Sequence, residues 1–60
     1  MTVIINYENI APNILERRLS RELSCFVMFR DIDEDYFEIS VLSDDFLTLQ
    51  KAENILSRYV

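Results

Sequence analysis

The sequence predicts a small α+β domain in which three strands form one sheet and two helices cover one face of it, in the order β-α-β-β-α. Three observations carry that expectation. Phe37, Ile39 and Val41 alternate with Glu38 and Ser40, the period of a half-covered strand. Leu15, Leu19 and Leu23 recur at spacing four, which marks one helical face. Phe46, Leu49, Ala52, Ile55, Leu56 and Tyr59 mark a second amphipathic stripe near the C-terminus.

Taken in order, residues 2–7 are rich in β-branched and aromatic types and suit a first strand. Pro12 can open the first helix, because proline's missing N–H would be unpaired at that position. Alternatively Asn13 caps it, with Glu16 completing a capping box. Ile14 stands beside the leucine stripe, and the helix should run to about Ser24. Residues 25–30, apolar at nearly every position, read as a second strand. The turn-type residues Asp31–Asp35 then link it to a third strand over 36–42, making a hairpin. Ser43 is a good N-cap for the last helix, with Asp44 and Asp45 in its first turn, where the helix dipole favours negative charge. One sheet with both helices on one face is the simplest way to bury both stripes. The crossover should be right-handed, and the third strand can lie between the other two.

All 60 residues make one domain, with no repeat or linker. Half are apolar, too many for a disordered segment. A domain of this size buries only about 60% of its unfolded surface and is marginal unless something supports it. One cysteine cannot form an internal disulfide, and zinc-ligand types are too few for a metal staple. A dense core or an association with a partner or a second copy has to compensate. Cys25, without any histidine to activate it, reads as a buried, unreactive thiol.

Several functions are disfavoured by composition. There is no histidine, the commonest acid–base group near neutral pH and the commonest metal ligand. There is no glycine, hence no phosphate-binding loop or dinucleotide-binding turn. The expectation is a non-catalytic protein with no cofactor and no metal. No basic stretch precedes a long apolar run, and the longest apolar stretch, Cys25 to Phe29, is far below the roughly 20 residues that cross a bilayer. A soluble, cytoplasmic protein in a reducing compartment is expected.

Two surfaces are candidates for binding. If the helices cover the side bearing Val3, Ile5, Tyr7, Cys25, Val27, Phe29, Phe37, Ile39 and Val41, the other side carries Ile4, Phe26, Met28, Tyr36 and Leu42, with Asn6, Arg30, Glu38 and Ser40 between them. Ile4, Phe26, Met28 and Tyr36 then form a docking or homodimerisation face, unless a loop or the chain end at Tyr59 and Val60 folds over it. The first strand is also a candidate open edge.

The second candidate surface is acidic. The formal net charge is −5, but residues 31–45 hold seven acids and no base, whereas the remainder holds four acids and six bases. Asp31, Asp33, Glu34, Asp35, Glu38, Asp44 and Asp45 are the candidate partner-binding set. Asp31-x-Asp33-x-Asp35 matches the opening of a calcium-binding EF-hand loop, but the glycine position is Tyr36 and the twelfth position is Leu42, not glutamate. Carboxylate catalysis would need one acid buried to raise its pKa, which an exposed turn does not provide. A row of carboxylates on a rigid frame can instead occupy the lysines and arginines that normally hold phosphates.

The leading expectation is a stoichiometric inhibitor of phage type, of the anti-restriction or anti-CRISPR class, that occludes a protein partner's basic groove by mimicking nucleic acid. The alternative is an accessory or assembly subunit that binds through the apolar sheet face, with the acids serving solubility. Direct nucleic-acid binding through Arg17, Arg18 and Arg21 is disfavoured by the chain's acidity; Arg18 and Glu22 are placed to pair at spacing four.

Overall fold

A computed structural model describes all residues from Met1 to Val60. The elements are β1 (Thr2–Asn6), α1 (Pro12–Glu22), β2 (Phe26–Asp31), β3 (Tyr36–Leu42) and α2 (Phe46–Leu56). They form the expected β-α-β-β-α domain. The sheet order is β1-β3-β2, with β3 antiparallel to both neighbours. The third strand is therefore the central one, and both β1 and β2 are edges.

The core follows from strand alternation. Ile5 of β1, Val27 of β2, and Phe37, Ile39 and Val41 of β3 all face one side of the sheet. They pack against Leu15 and Leu19 of α1, Leu23 just beyond it, and Ala52, Ile55 and Leu56 of α2. Both helical stripes are thus buried against the same face. No polar or charged residue is buried, so this core needs no internal polar network. Tyr7 extends the core at one margin, its ring centroid 5.1 Å from that of Phe37.

Local sequence explains the helix ends. Pro12 stands at the start of α1, with Ala11 in extended conformation before it and no side-chain cap. The proline reading therefore holds, and Asn13 does not cap. For α2 the cap is Asp45, not Ser43: its carboxylate accepts from the Thr48 N–H at 3.2 Å and from the Thr48 hydroxyl at 2.6 Å. Ser43 Oγ instead accepts from the Asp45 N–H and shapes the approach to the helix. The two serine and aspartate candidates are both good caps by type, and the hydroxyl of Thr48 adds a second bond for Asp45. Asp44 consequently lies before the helix rather than in its first turn.

The hairpin between β2 and β3 turns without glycine. Asp33 Oδ1 accepts from the N–H groups of Asp35 and Tyr36 at 2.8 and 2.9 Å, and the Tyr36 carbonyl accepts from Ile32 and Asp33. No residue in the chain has positive φ. A short aspartate side chain that bonds its own backbone two residues on supplies the closure that glycine often provides. No helix is long and apolar enough to cross a membrane.

Candidate functional site: a bare sheet face with acidic ends

The side of the sheet away from the helices is uncovered. The register places Thr2, Ile4 and Asn6 of β1, Tyr36, Glu38, Ser40 and Leu42 of β3, and Phe26, Met28 and Arg30 of β2 on it. Phe26 pairs with Leu42, Met28 with Ser40 and Arg30 with Glu38, while Ile4 lies on the other flank of Glu38. Phe26 is 71% exposed, Ile4 54%, and Met28 and Leu42 each 52%. Tyr36 is also exposed. All four residues expected for a docking face share this surface, and Leu42 belongs with them.

Neither a loop nor the chain end covers this surface. Tyr59 lies with the helices: its carbonyl accepts from Asn9 Nδ2 at 2.6 Å, and its hydroxyl accepts from Arg18. The same arginine stacks over the Tyr59 ring and bonds Glu22 at 2.9 Å. That bond to Glu22, followed by the Tyr59 contacts, holds the Arg18 pKa above its ordinary value. The C-terminal turn is therefore pinned on the covered side.

Only one ion pair lies on the bare face, Arg30 Nη2 to Glu38 Oε2 at 3.3 Å. It sits in the middle of the apolar side chains and leaves the face itself without net charge. The other acids lie elsewhere. Asp31 accepts from the Tyr7 hydroxyl, which ties it to the core margin. Asp33 is engaged in the turn, and Glu34 and Asp35 are exposed beside it. Asp44 and Asp45 are exposed at the opposite end of β3.

The contiguous acidic block of the sequence is thus divided in space. Six strand steps separate Tyr36 from Leu42, about 20 Å at ~3.3 Å per residue. One acidic group lies at the hairpin end and one at the entry to α2, with the bare face and its Arg30–Glu38 pair between them. No group of three acidic or thiol side chains is close enough together to share a metal ion. Asp45 has its pKa lowered, chiefly by the Thr48 hydroxyl and then by the Thr48 backbone N–H.

Four further residues differ from the sequence reading. Phe29 was expected under the helices, but it is 45% exposed because β2 is an edge strand and the ring's outer flank is open. Phe46 was expected in the buried stripe of α2; it is 73% exposed, as is neighbouring Leu47 at 70%. The shift of the cap to Asp45 makes Phe46 the first helical residue, ahead of the stripe that packs on the core from Leu49 onward. Ile14 is likewise exposed, and Cys25 is half-buried against the core rather than fully enclosed. A shallow groove between the end of α1 and α2 is lined mainly by polar groups, among them Glu22, Ser24, Thr48 and Lys51.

Comparison of the chain with known protein families, curated proteins and solved structures finds no match.

Proposed function

We propose that this chain is a small, non-catalytic binding protein that acts by stoichiometric association, with the bare sheet face as its docking surface and the acidic groups as its rim. The observation that carries this reading is the uncovered sheet face, with Phe26, Met28 and Leu42 together at one end and Ile4 and Tyr36 toward the hairpin, on a domain whose other sheet face carries the core. Large apolar side chains left uncovered together on a small domain mark an interaction site. The ten residues of the face fall below the roughly 20–30 per side of a standard interface, so the flanking ends must take part. Those ends are acidic, which favours a protein partner with a basic margin and makes association faster at low salt.

The inhibitor reading, in which carboxylates occupy a partner's phosphate-binding groove, is supported by the base-free hairpin end with Glu34 and Asp35 exposed. Its charge is divided between the two ends of the sheet, Glu38 is paired with Arg30, and Asp31 and Asp33 keep their charge but are held in place by hydrogen bonds within the molecule. The apolar face is therefore the primary surface and the acids are secondary. Capture from cell extract by the intact chain tests this order. Met28→Asp should abolish capture, while Glu34→Lys with Asp35→Lys should weaken it and reduce its salt dependence. Capture that survives Met28→Asp but is lost on the charge reversal, and that falls steeply with salt, would instead establish the mimic. Asp33 is left intact in this experiment because its carboxylate holds the turn.

A further inference from the structure

We infer that two copies of this chain join through the outer edges of their β1 strands, antiparallel about a two-fold axis at Ile4, so that two three-stranded sheets become one. The inference goes beyond the docking reading and does not depend on it, because the surface is a backbone edge and not the bare face.

Hydrogen bonding shows which groups are open. Met1 and Val41 exchange both backbone bonds, Val41 N–H to Met1 C=O at 2.8 Å and the Met1 ammonium to Val41 C=O at 3.2 Å. Antiparallel alternation then turns the peptide groups of Val3 and Ile5 toward β3 and those of Thr2, Ile4 and Asn6 away from it. β1 is an edge strand, and among these outward groups only the Asn6 carbonyl has a backbone partner, the Asn9 N–H at 3.0 Å. A row of open donors and acceptors at strand spacing is satisfied by another strand.

This edge also lacks the usual defences. Natural sheets blunt their edges with charge, proline or a bulge. Thr2–Asn6 holds no charged residue and no proline, and its register with β3 runs unbroken from Thr2 opposite Ser40 to Asn6 opposite Tyr36. The other edge differs, because β2 ends in Arg30 and Asp31. The Ile32 N–H bonds the Tyr36 carbonyl, so alternation turns the Phe29 peptide groups off the β2 edge. Two-fold pairing centred on Phe29 would set Asp31 against the partner's Val27 and Arg30 against the partner's Met28.

The composition of β1 selects a second copy as the incoming strand. In residue class it reads the same in both directions about Ile4, with polar Thr2 and Asn6 outermost and apolar Val3 and Ile5 within. A two-fold axis normal to the sheet at Ile4 sets Ile4 beside the partner's Ile4, Val3 beside the partner's Ile5 and Thr2 beside the partner's Asn6. Every cross-strand pair then joins like with like. The two Ile4 peptide groups bond each other reciprocally, and each Asn6 N–H meets the partner's Thr2 carbonyl. The helices of both copies stay on one side, and the two bare faces merge on the other. Parallel pairing about an axis along the strand turns one copy over and breaks this match, because Val3 and Ile5 then lie in line with Thr2 and Asn6. Closing the edge gives so small a domain the support that its size calls for.

Sedimentation equilibrium of the full chain at concentrations up to about 1 mM tests the pairing. Wild type should shift from monomer to dimer as concentration rises. Ile4→Pro removes an outward N–H that the monomer does not use, and proline is tolerated on an edge strand at such a position. Its circular dichroism should stay native while self-association weakens about tenfold or more, since a reciprocal pair of bonds is lost. Met28→Asp, on the bare face, should leave the dimer intact. In a mixture of isotope-labelled and unlabelled chains, a filtered nuclear Overhauser effect should join Val3 Hα to the partner's Ile5 Hα, which approach closely in a pair without hydrogen bonds between them. That readout uses the wild-type chain and decides the matter even if Ile4→Pro unfolds. A chain that stays monomeric throughout, a dimer without that Overhauser effect, or a dimer that Met28→Asp breaks and folded Ile4→Pro does not, overturns the inference.

Discussion

The two faces of the sheet are built from the same strands and similar residues, yet their environments are opposite. On β1, Ile5 is 1% exposed and its neighbour Ile4 is 54% exposed. On β2, Val27 is 9% exposed and Met28 is 52%. Alternation alone assigns each residue to a side, and the helices then decide which side becomes core. An apolar residue on the helix side stabilises folding, whereas one on the bare side contributes little to the isolated domain and is available for association. Side-chain type does not distinguish the two roles; the presence of a second layer does.

The sharpest way to break this comparison is to truncate a large aromatic on each face. Phe37→Ala should cost about 3–5 kcal/mol, comparable to the whole stability of so small a domain. Its far-ultraviolet circular dichroism should show an unfolded chain at 25 °C. Phe26→Ala, at a residue 71% exposed, should leave the melting temperature within a few degrees of wild type. Equal losses for both would mean that the bare face is not bare in solution.

A smaller effect is expected at the end of the sheet that leads into α2. Asp45→Ala removes the cap on Thr48, and the melting temperature should fall by about 5 °C at neutral pH. The Asp45 pKa is lowered in the folded state, so the stabilisation is fully present above the ordinary carboxylate pKa. It is lost as pH falls through the lowered folded value. Thermal melts of wild type and Asp45→Ala should therefore converge on acidification. A gap that persists below that range would assign the stabilisation to something other than the charged cap.

The smallest effect belongs to the bare face itself. Arg30→Met removes an exposed ion pair, and exposed pairs contribute little. The melting temperature should move by no more than about 2 °C. A larger loss would show that the pair organises the sheet rather than decorating it.

Much of this arrangement was legible from residue spacing. The leucines at 15, 19 and 23 and the alternation over 37–41 identify the core, and Pro12 marks the start of α1. Ile4, Phe26, Met28 and Tyr36 fall on the open side as expected. Two features were hidden for physical reasons. Acids that are adjacent in sequence are separated by a strand about 20 Å long, because an extended segment carries its two ends apart. The start of α2 was displaced because Ser43 and Asp45 are both effective caps, and only the Thr48 hydroxyl three residues after Asp45 distinguishes them.

The backbone without positive φ has a consequence for mutational studies of this chain. No connection requires a residue lacking a side chain, so steric tolerance should be broad at every exposed position except where Asp33 and Asp45 bond the main chain. Asn6, Asn9, Ser43 and Ser57 also bond the main chain through their side chains. In a saturation scan, intolerance at surface sites away from all six of these residues would then report molecular recognition, and the map of sensitive positions would outline the footprint of whatever the chain binds.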